Sequence, residues 1–399
     1  MDTARLVPIG TALLLSGGLA LEAAPARPKK QYTIEQFMAT TALAGASFSP
    51  DESKILFSSN ETGVPNVYSV PLAGGTATAL TSAKESTYAV SYFPADERIL
   101  FTRDAGGNEL NHLYVRETDG QEKDLTPGEK LKAIFQGFTK AGGSFWVLTN
   151  ERDPRYFDLY RYDAKTYART LHYQDEVGYF FGDVTDDGAY VALNKVQTTA
   201  DSDVYLYEMA TKQMKHLTPH QGQVSNGAEG FDPEGKALYY LTNAGGEFAR
   251  VKRYLLAAGA HEEVEKADWD VLYTTFSKHG RYRLTAINED ARTVIRLHDL
   301  RDGKTVAVPQ LPAADITSVV VSPSEKRLAF YVNGDRSPSN LYVLTLGEAA
   351  PRQLTFSLNR EIDAEDLVES EVVRFKARDG MVVPNILWKA QEARAARTM

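Results

Sequence analysis

The chain has 399 residues, 43% hydrophobic and 24% charged, with a formal net charge of −9 and no cysteine. The missing cysteine excludes disulfides, zinc thiolate centres, cysteine-ligated iron–sulfur clusters and a thiol nucleophile. The acidic balance argues against nucleic acid and anionic membrane surfaces, both of which attract basic patches. The 21 Tyr and 17 Phe pack well on pleated surfaces and tilt the composition towards β structure.

In chain order, residues 1–26 come first and are unlike the rest. Arg5 precedes an apolar run from Leu6 to Leu21, and Ala24-Pro25-Ala26 supplies small residues at cleavage-type spacing. This is the pattern of a secretory signal peptide and predicts a periplasmic or secreted protein. No later stretch reaches the roughly 18 apolar residues of a membrane span. No span is therefore expected once the signal is removed. Residues 27–45 read as a lead-in segment.

A repeat then organises the chain. A strand end followed by a turn recurs as Phe48-Ser49-Pro50-Asp51, Phe93-Pro94-Ala95-Asp96, Phe138-Thr139-Lys140-Ala141-Gly142 and Val184-Thr185-Asp186-Asp187-Gly188. It returns as Phe231-Asp232-Pro233-Glu234-Gly235, Phe276-Ser277-Lys278-His279-Gly280 and Val321-Ser322-Pro323-Ser324, with spacings of 45, 45, 46, 47, 45 and 45. A second anchor is a polar residue before alternating apolar and aromatic residues: Asn66-Val67-Tyr68, His112-Leu113-Tyr114, Asp158-Leu159-Tyr160, Asp203-Val204-Tyr205 and Asn340-Leu341-Tyr342, weaker around Tyr254 and Ile295. A third is Leu-Thr at 80–81, 125–126, 217–218 and 354–355, with Leu171-His172 in its place in unit three.

In the first unit the runs Ala46–Phe48, Ile55–Ser58, Asn66–Val70 and Thr76–Leu80 are separated by turn residues such as Pro50-Asp51 and Gly74-Gly75. Alternation marks strands, and four short strands in about 45 residues match one blade of a propeller. A lone blade cannot bury both faces, so blades must stack in a ring. The expectation is an all-β, seven-bladed β-propeller of four-stranded antiparallel blades over 46–358. Residues 31–45 could instead add a strand or hide a degenerate eighth blade.

Residues 359–399 break the pattern. An acidic linker leads to Val372-Val373-Arg374-Phe375-Lys376-Ala377-Arg378, then Asp379-Gly380, then Met381 through Trp388, ending in a polar tail from Gln391. Asp-Gly between two strand-like runs predicts an orphan β-hairpin. Its alternation sets Val373 and Phe375 on one face and Val372, Arg374 and Lys376 on the other.

A signal segment, a propeller and an Arg-Phe-Lys…Asp-Gly…Pro-Asn-Ile hairpin together resemble the prolyl oligopeptidase family of serine peptidases, of the bacterial dipeptidyl or acylaminoacyl peptidase type. Arg103 to Leu110 and Thr149 to Tyr160 are also similar to that family's propellers. The resemblance implies that the hairpin leads into an α/β-hydrolase domain with an oxyanion-hole segment, a Gly-x-Ser-x-Gly elbow, an Asp and a His. Gly142-Gly143-Ser144-Phe145-Trp146 comes nearest to the elbow and lacks its closing Gly. No catalytic residue is carried over, and this chain is expected not to be an enzyme by itself. The expected role is a non-catalytic, substrate-gating propeller lacking its hydrolase domain, with peptides or an α/β-hydrolase domain as partners. The alternative is a free-standing TolB-like periplasmic propeller that binds proteins, to which the hairpin would be superfluous.

Other motifs point to no cofactor and no metal. His112, His172, His216, His220, His261, His279 and His298 fall at turns or strand ends of different units. Asp201-Ser202-Asp203 and Asp183 to Asp187 suggest calcium but lack the rest of a binding loop, so they read as acidic turns. There is no P-loop and no dinucleotide glycine fingerprint. The candidate substrate contacts are Asn108, Glu109, Arg152 and Arg155, because in related peptidases charged propeller residues grip the substrate terminus across the domain interface.

Overall fold

The computed structural model describes residues 30–309 and 314–389. The expected signal peptide and polar tail fall outside these residues. Blade one is a meander of β1 (Leu43–Phe48), β2 (Lys54–Ser59), β3 (Asn66–Pro71) and β4 (Thr78–Ala79). Six further four-stranded antiparallel blades occupy 87–124, 133–173, 180–216, 226–265, 271–306 and 314–353. The two-stranded hairpin, Ser370–Lys376 with Val382–Trp388, follows as a separate sheet. The ring has seven blades, because the lead-in folds into a short helix, α1 (Ile34–Met38), and runs into the start of β1 without adding a further strand.

The first strand of each blade faces the axis, and at three junctions it bonds to the first strand of the next. Tyr92 N donates to Ser47 Oγ at 3.0 Å, Phe231 N to Asp183 Oδ2 at 2.7 Å and Thr274 N to Glu229 Oε2 at 2.9 Å. All seven first strands carry a register shift against their second strand. The first strand is the edge of its sheet, so alternate backbone N–H groups point away from it, and at these three positions the neighbouring blade supplies the acceptor. In blade one Gly45, at φ +72, forms the bulge. The bulge interrupts the side-chain alternation, so β1 begins at Leu43, three residues before the apolar pattern starts.

The repeated anchors have bonding roles. The hydroxyls of Ser49, Thr139, Thr185, Ser277 and Ser322 each accept the N–H five residues on, closing the first turn. Thr81, Thr126, Thr218 and Thr355 each accept the N–H that opens the buried run of the third strand, at Val67, Leu113, Val204 and Leu341. In blade three the buried position falls to Tyr173, not Leu171, because a register shift beside Leu159 turns Leu171 outwards.

Since every strand belongs to its own blade, side chains close the ring. Phe48, Ile55 and Tyr68 of blade one share a core with Tyr331, Leu341 and Leu354 of blade seven. Tyr331 OH donates to Gly45 O at 2.6 Å, and Glu52 accepts from Ser324 Oγ at 2.8 Å and Arg327 at 2.7 Å.

A four-stranded meander puts its second-to-third-strand loop on the same face as the connection to the next blade. That face also receives α1 and the segment after blade seven: Thr41 N donates to Ser357 O, and Tyr32 OH donates to Asp366. The hairpin lies on this face too.

Candidate functional site

The hairpin face carries all four residues singled out in the sequence, in the second-to-third-strand loops of blades two and three. In blade two, Asn108 Oδ1 accepts from Leu110 N at 3.0 Å and so shapes its loop. Glu109 adopts φ 60, donates its N–H to Asp104 Oδ2 at 3.1 Å, and exposes its side chain.

Blade three divides the roles of its two arginines. Arg152 donates to both oxygens of Asp158, at 2.7 and 2.9 Å, and to the carbonyl of Asp175. Asp158 is fully buried and also accepts Asp175 N at 2.9 Å. Arg152 therefore braces its loop to the connection leading to blade four. Arg155 bonds only within its own turn, to Asp153 at 2.7 and 3.0 Å, and its side chain is 72% exposed. Its guanidinium lies 5.0 Å from the Tyr156 ring centre. Arg152 lies 6.0 Å from the same ring, so the loop sets both guanidiniums over Tyr156, with Arg155 the exposed one. The structure brings together the two arginines of one loop, but no described bond joins them to Asn108 or Glu109.

A cluster on the same face corrects the reading of two motifs. Asp201 and Asp203 are not turn residues; they lie in the third strand of blade four, Asp201–Glu208. His216 and His220 belong to that same blade and its exit, and both reach them. His216 Nε2 is 2.7 Å from Asp203 Oδ1, His220 Nε2 is 2.9 Å from Asp201 Oδ1, and His220 Nδ1 is 3.2 Å from Asp203 Oδ1. The bond to Thr218 O, together with Asp201, raises the His220 pKa. The usable signal was the i, i+2 spacing of the aspartates, which puts both on one face of a strand. No group of three or more such side chains arranged to hold a metal ion occurs among the described residues.

Two carboxyls line the axis. Burial pushes Asp183 up to about 6 and Glu229 up to about 7, each partly offset by the backbone N–H it accepts. A cleft of about 520 Å³ between blades three, four and five includes Asp183, Lys140, Trp146, Asp186, Tyr190 and Glu234. It opens among the first-to-second-strand turns, on the face opposite the hairpin.

The hairpin face is also where exposed apolar side chains gather. Tyr88, Ile134, Phe180 and Leu272 are exposed at the starts of the first strands of blades two, three, four and six, around the axial opening. Ile34, Met38 and Phe356 (81% exposed) belong to the segments received by the same face, as do Phe375, Val382 and Trp388 (56%) of the hairpin. No helix among the described residues is long and apolar enough to cross a membrane.

The family profile described as the N-terminal β-propeller domain of prolyl oligopeptidase matches residues 81–355. Dipeptidyl aminopeptidase BIII of Pseudoxanthomonas mexicana is 28% identical over 257 residues, which is 60% of this chain and 37% of that protein. A solved structure from a study of two prolyl endopeptidases and the role of inter-domain dynamics superposes with a TM-score of 0.69 at 16% identity, covering 90% of this chain and 56% of that one. Apo prolyl oligopeptidase B from Galerina marginata gives 0.65 at 14% identity, covering 90% and 57%. The likeness to these structures is one of fold, and the chain spans only 37% to 57% of the length of these relatives.

Proposed function

Because the chain belongs to the prolyl oligopeptidase family, through its N-terminal β-propeller domain, we propose that it is the non-catalytic, substrate-gating part of an exported serine peptidase whose α/β-hydrolase domain covers the hairpin face. The observation that carries this reading is the gathering of exposed apolar side chains on that face. Exposed apolar side chains concentrated on one face mark a surface that something covers. Burying a side chain such as Phe356 or Trp388 is worth roughly 1.5–3 kcal/mol, so several together favour a stable lid.

In the family the chemistry is acyl transfer. A serine attacks the peptide carbonyl with histidine as base and aspartate as orienter, and hydrogen-bond donors stabilise the oxyanion. None of those roles is assigned to a residue of this chain. Its part is to enclose the reacting space, so that water is excluded and only short or unfolded peptides enter. Arg155 and Glu109, on loops facing that space, are the proposed peptide or interface contacts. Arg152 and Asn108 hold those loops in shape.

The test joins this chain to an α/β-hydrolase segment of the family. It compares cleavage of a short peptide with cleavage of a long unstructured protein such as casein, with and without residues 43–355. The 399-residue chain alone should neither hydrolyse peptides nor take a fluorophosphonate label. The joined protein should favour the short peptide, and removing the propeller should abolish that preference. An unchanged size profile would overturn gating, and stoichiometric labelling of the chain alone would overturn its non-catalytic role.

A further inference from the structure

The hairpin is held by blades six and seven through two aspartates in equivalent places. In blades one, two, three and five the second and third strands have five or six residues, whereas in blades four, six and seven they have eight or nine, and of these three it is six and seven that contact the hairpin. The longer strands lift their two-residue tips above the face. In blade six the tip is Asp290-Ala291, both in the left-handed region at φ 55 and 63, between paired Glu289 and Arg292. In blade seven it is Asp335-Arg336, between paired Gly334 and Ser337.

Asp335 grips the hairpin's base. It accepts Ser370 N at 2.7 Å, Ser370 Oγ at 2.5 Å and Trp388 Nε1 at 2.8 Å. Ser370 and Trp388 are cross-strand partners, so one carboxylate ties both strands at the point where the hairpin begins and ends. Although burial works against it, these bonds and the nearby Arg292 keep the Asp335 carboxyl below its ordinary pKa. Arg336 adds bonds to the linker, to Ala364 O at 3.0 Å and Glu369 at 3.3 Å. Four residues along the strand, roughly 13 Å at about 3.3 Å per residue, Arg374 pairs with Asp290.

The two attachments are unequal. The base has three hydrogen bonds to one part-buried charge, whereas the outer contact is a single ion pair between a half-exposed Arg374 and a part-buried Asp290. Exposed pairs contribute little and weaken with salt. Apolar burial around the outer contact is partial: Val373, Val383 and Pro384 are part-buried while Phe375 and Val382 are exposed, and a cavity of about 230 Å³ is lined by Arg292, Asp315, Asn333, Ile386 and Trp388.

We infer that the hairpin is a hinged strap, with Asp335 as its pivot and the Asp290–Arg374 pair as a releasable latch. The strap swings about its base when the latch opens, and whatever chain follows it swings too. This rests on the geometry within the chain and does not require the hydrolase reading.

Hydrogen exchange of the 399-residue chain, followed by mass spectrometry, tests it without any peptidase readout. An isolated two-stranded hairpin is marginal in water, so amide protection in 371–387 reports docking. Arg374→Gln and 0.5 M salt should each speed exchange there several-fold, with blade seven unchanged. Asp335→Ala should speed it further and redshift the Trp388 emission. The chain has no native cysteine, so Asp290→Cys with Arg374→Cys, bridged by a bifunctional thiol reagent, can lock the latch and should slow exchange below wild type. Exchange unaffected by Arg374→Gln and by salt would overturn the latch. Exchange unaffected by Asp335→Ala would overturn the pivot. A bridged protein that exchanges as fast as wild type would show that the hairpin does not swing.

Discussion

At the scale of single residues, the axial carboxyls set a pH dependence. Glu229 is raised from 4.5 to about 7 and Asp183 from 3.8 to about 6, mainly by burial. The folded chain therefore keeps protons that the unfolded chain has released. The unfolded state binds fewer protons, so stability falls as pH rises through that interval and stays lower above it. Glu229→Gln keeps the carbonyl that accepts Thr274 N and removes the charge. It should raise stability at pH 8 by about 1–3 kcal/mol and much less at pH 5, as read from melting temperatures at the two values. Equal gains at both would place the effect in packing. These carboxyls were not legible in the sequence. Each is part-buried against a neighbouring blade some 45 residues on, and nothing local distinguishes Asp183 from the exposed Asp186 three residues later. The same holds for the His216–Asp203 and His220–Asp201 pairs: the residue types were visible, but their meeting was not.

At the scale of elements, the repeated threonines are structural bonds. Thr126 is 1% exposed and accepts Leu113 N at 2.9 Å. Thr126→Val keeps the shape but leaves a buried N–H without an acceptor, which costs about 1–3 kcal/mol. Thr126→Ser restores the oxygen and should recover most of that loss in urea melts. A valine variant as stable as wild type would mean that another acceptor reaches Leu113 N. Here sequence and structure agree closely, because an anchor that recurs every turn of the repeat is local chemistry repeated. They part at the bulges. A register shift needs only one residue's φ, ψ change, and at Leu159–Tyr173 it moved the buried position from Leu171 to Tyr173. The hairpin shows the same division. Asp379-Gly380 announced its turn, but its seat on Asp290 and Asp335 depends on strands lengthened in two other blades.

At the scale of the whole molecule, the expected weak seam is where blade seven meets blade one, since no short connection joins them as one joins every other pair of neighbouring blades. Glu52 is buried, adopts φ 54 and accepts from Ser324 and Arg327 across that seam. Glu52→Ala leaves those donors without their acceptor and should cost about 1–3 kcal/mol, with amide protection lost first in blades one and seven. Arg327→Ala in the same chain should add less than its separate cost, since both remove one interaction. Uniform loss around the ring would show instead that the seam is no weaker than the other blade junctions.

The sequence by itself determined the period, the four strands per blade and the hairpin, because alternation, turn residues and capping hydroxyls act within a few positions of the chain and repeat; that the lead-in adds no eighth blade was decided by the structure. Only the tertiary structure decided which charges are buried at the axis, which loop residues brace and which are displayed, which face gathers the exposed apolar side chains, and how the hairpin is held. Each of these depends on residues from different blades, or from opposite ends of one blade, and their separation in space is set only when the ring closes.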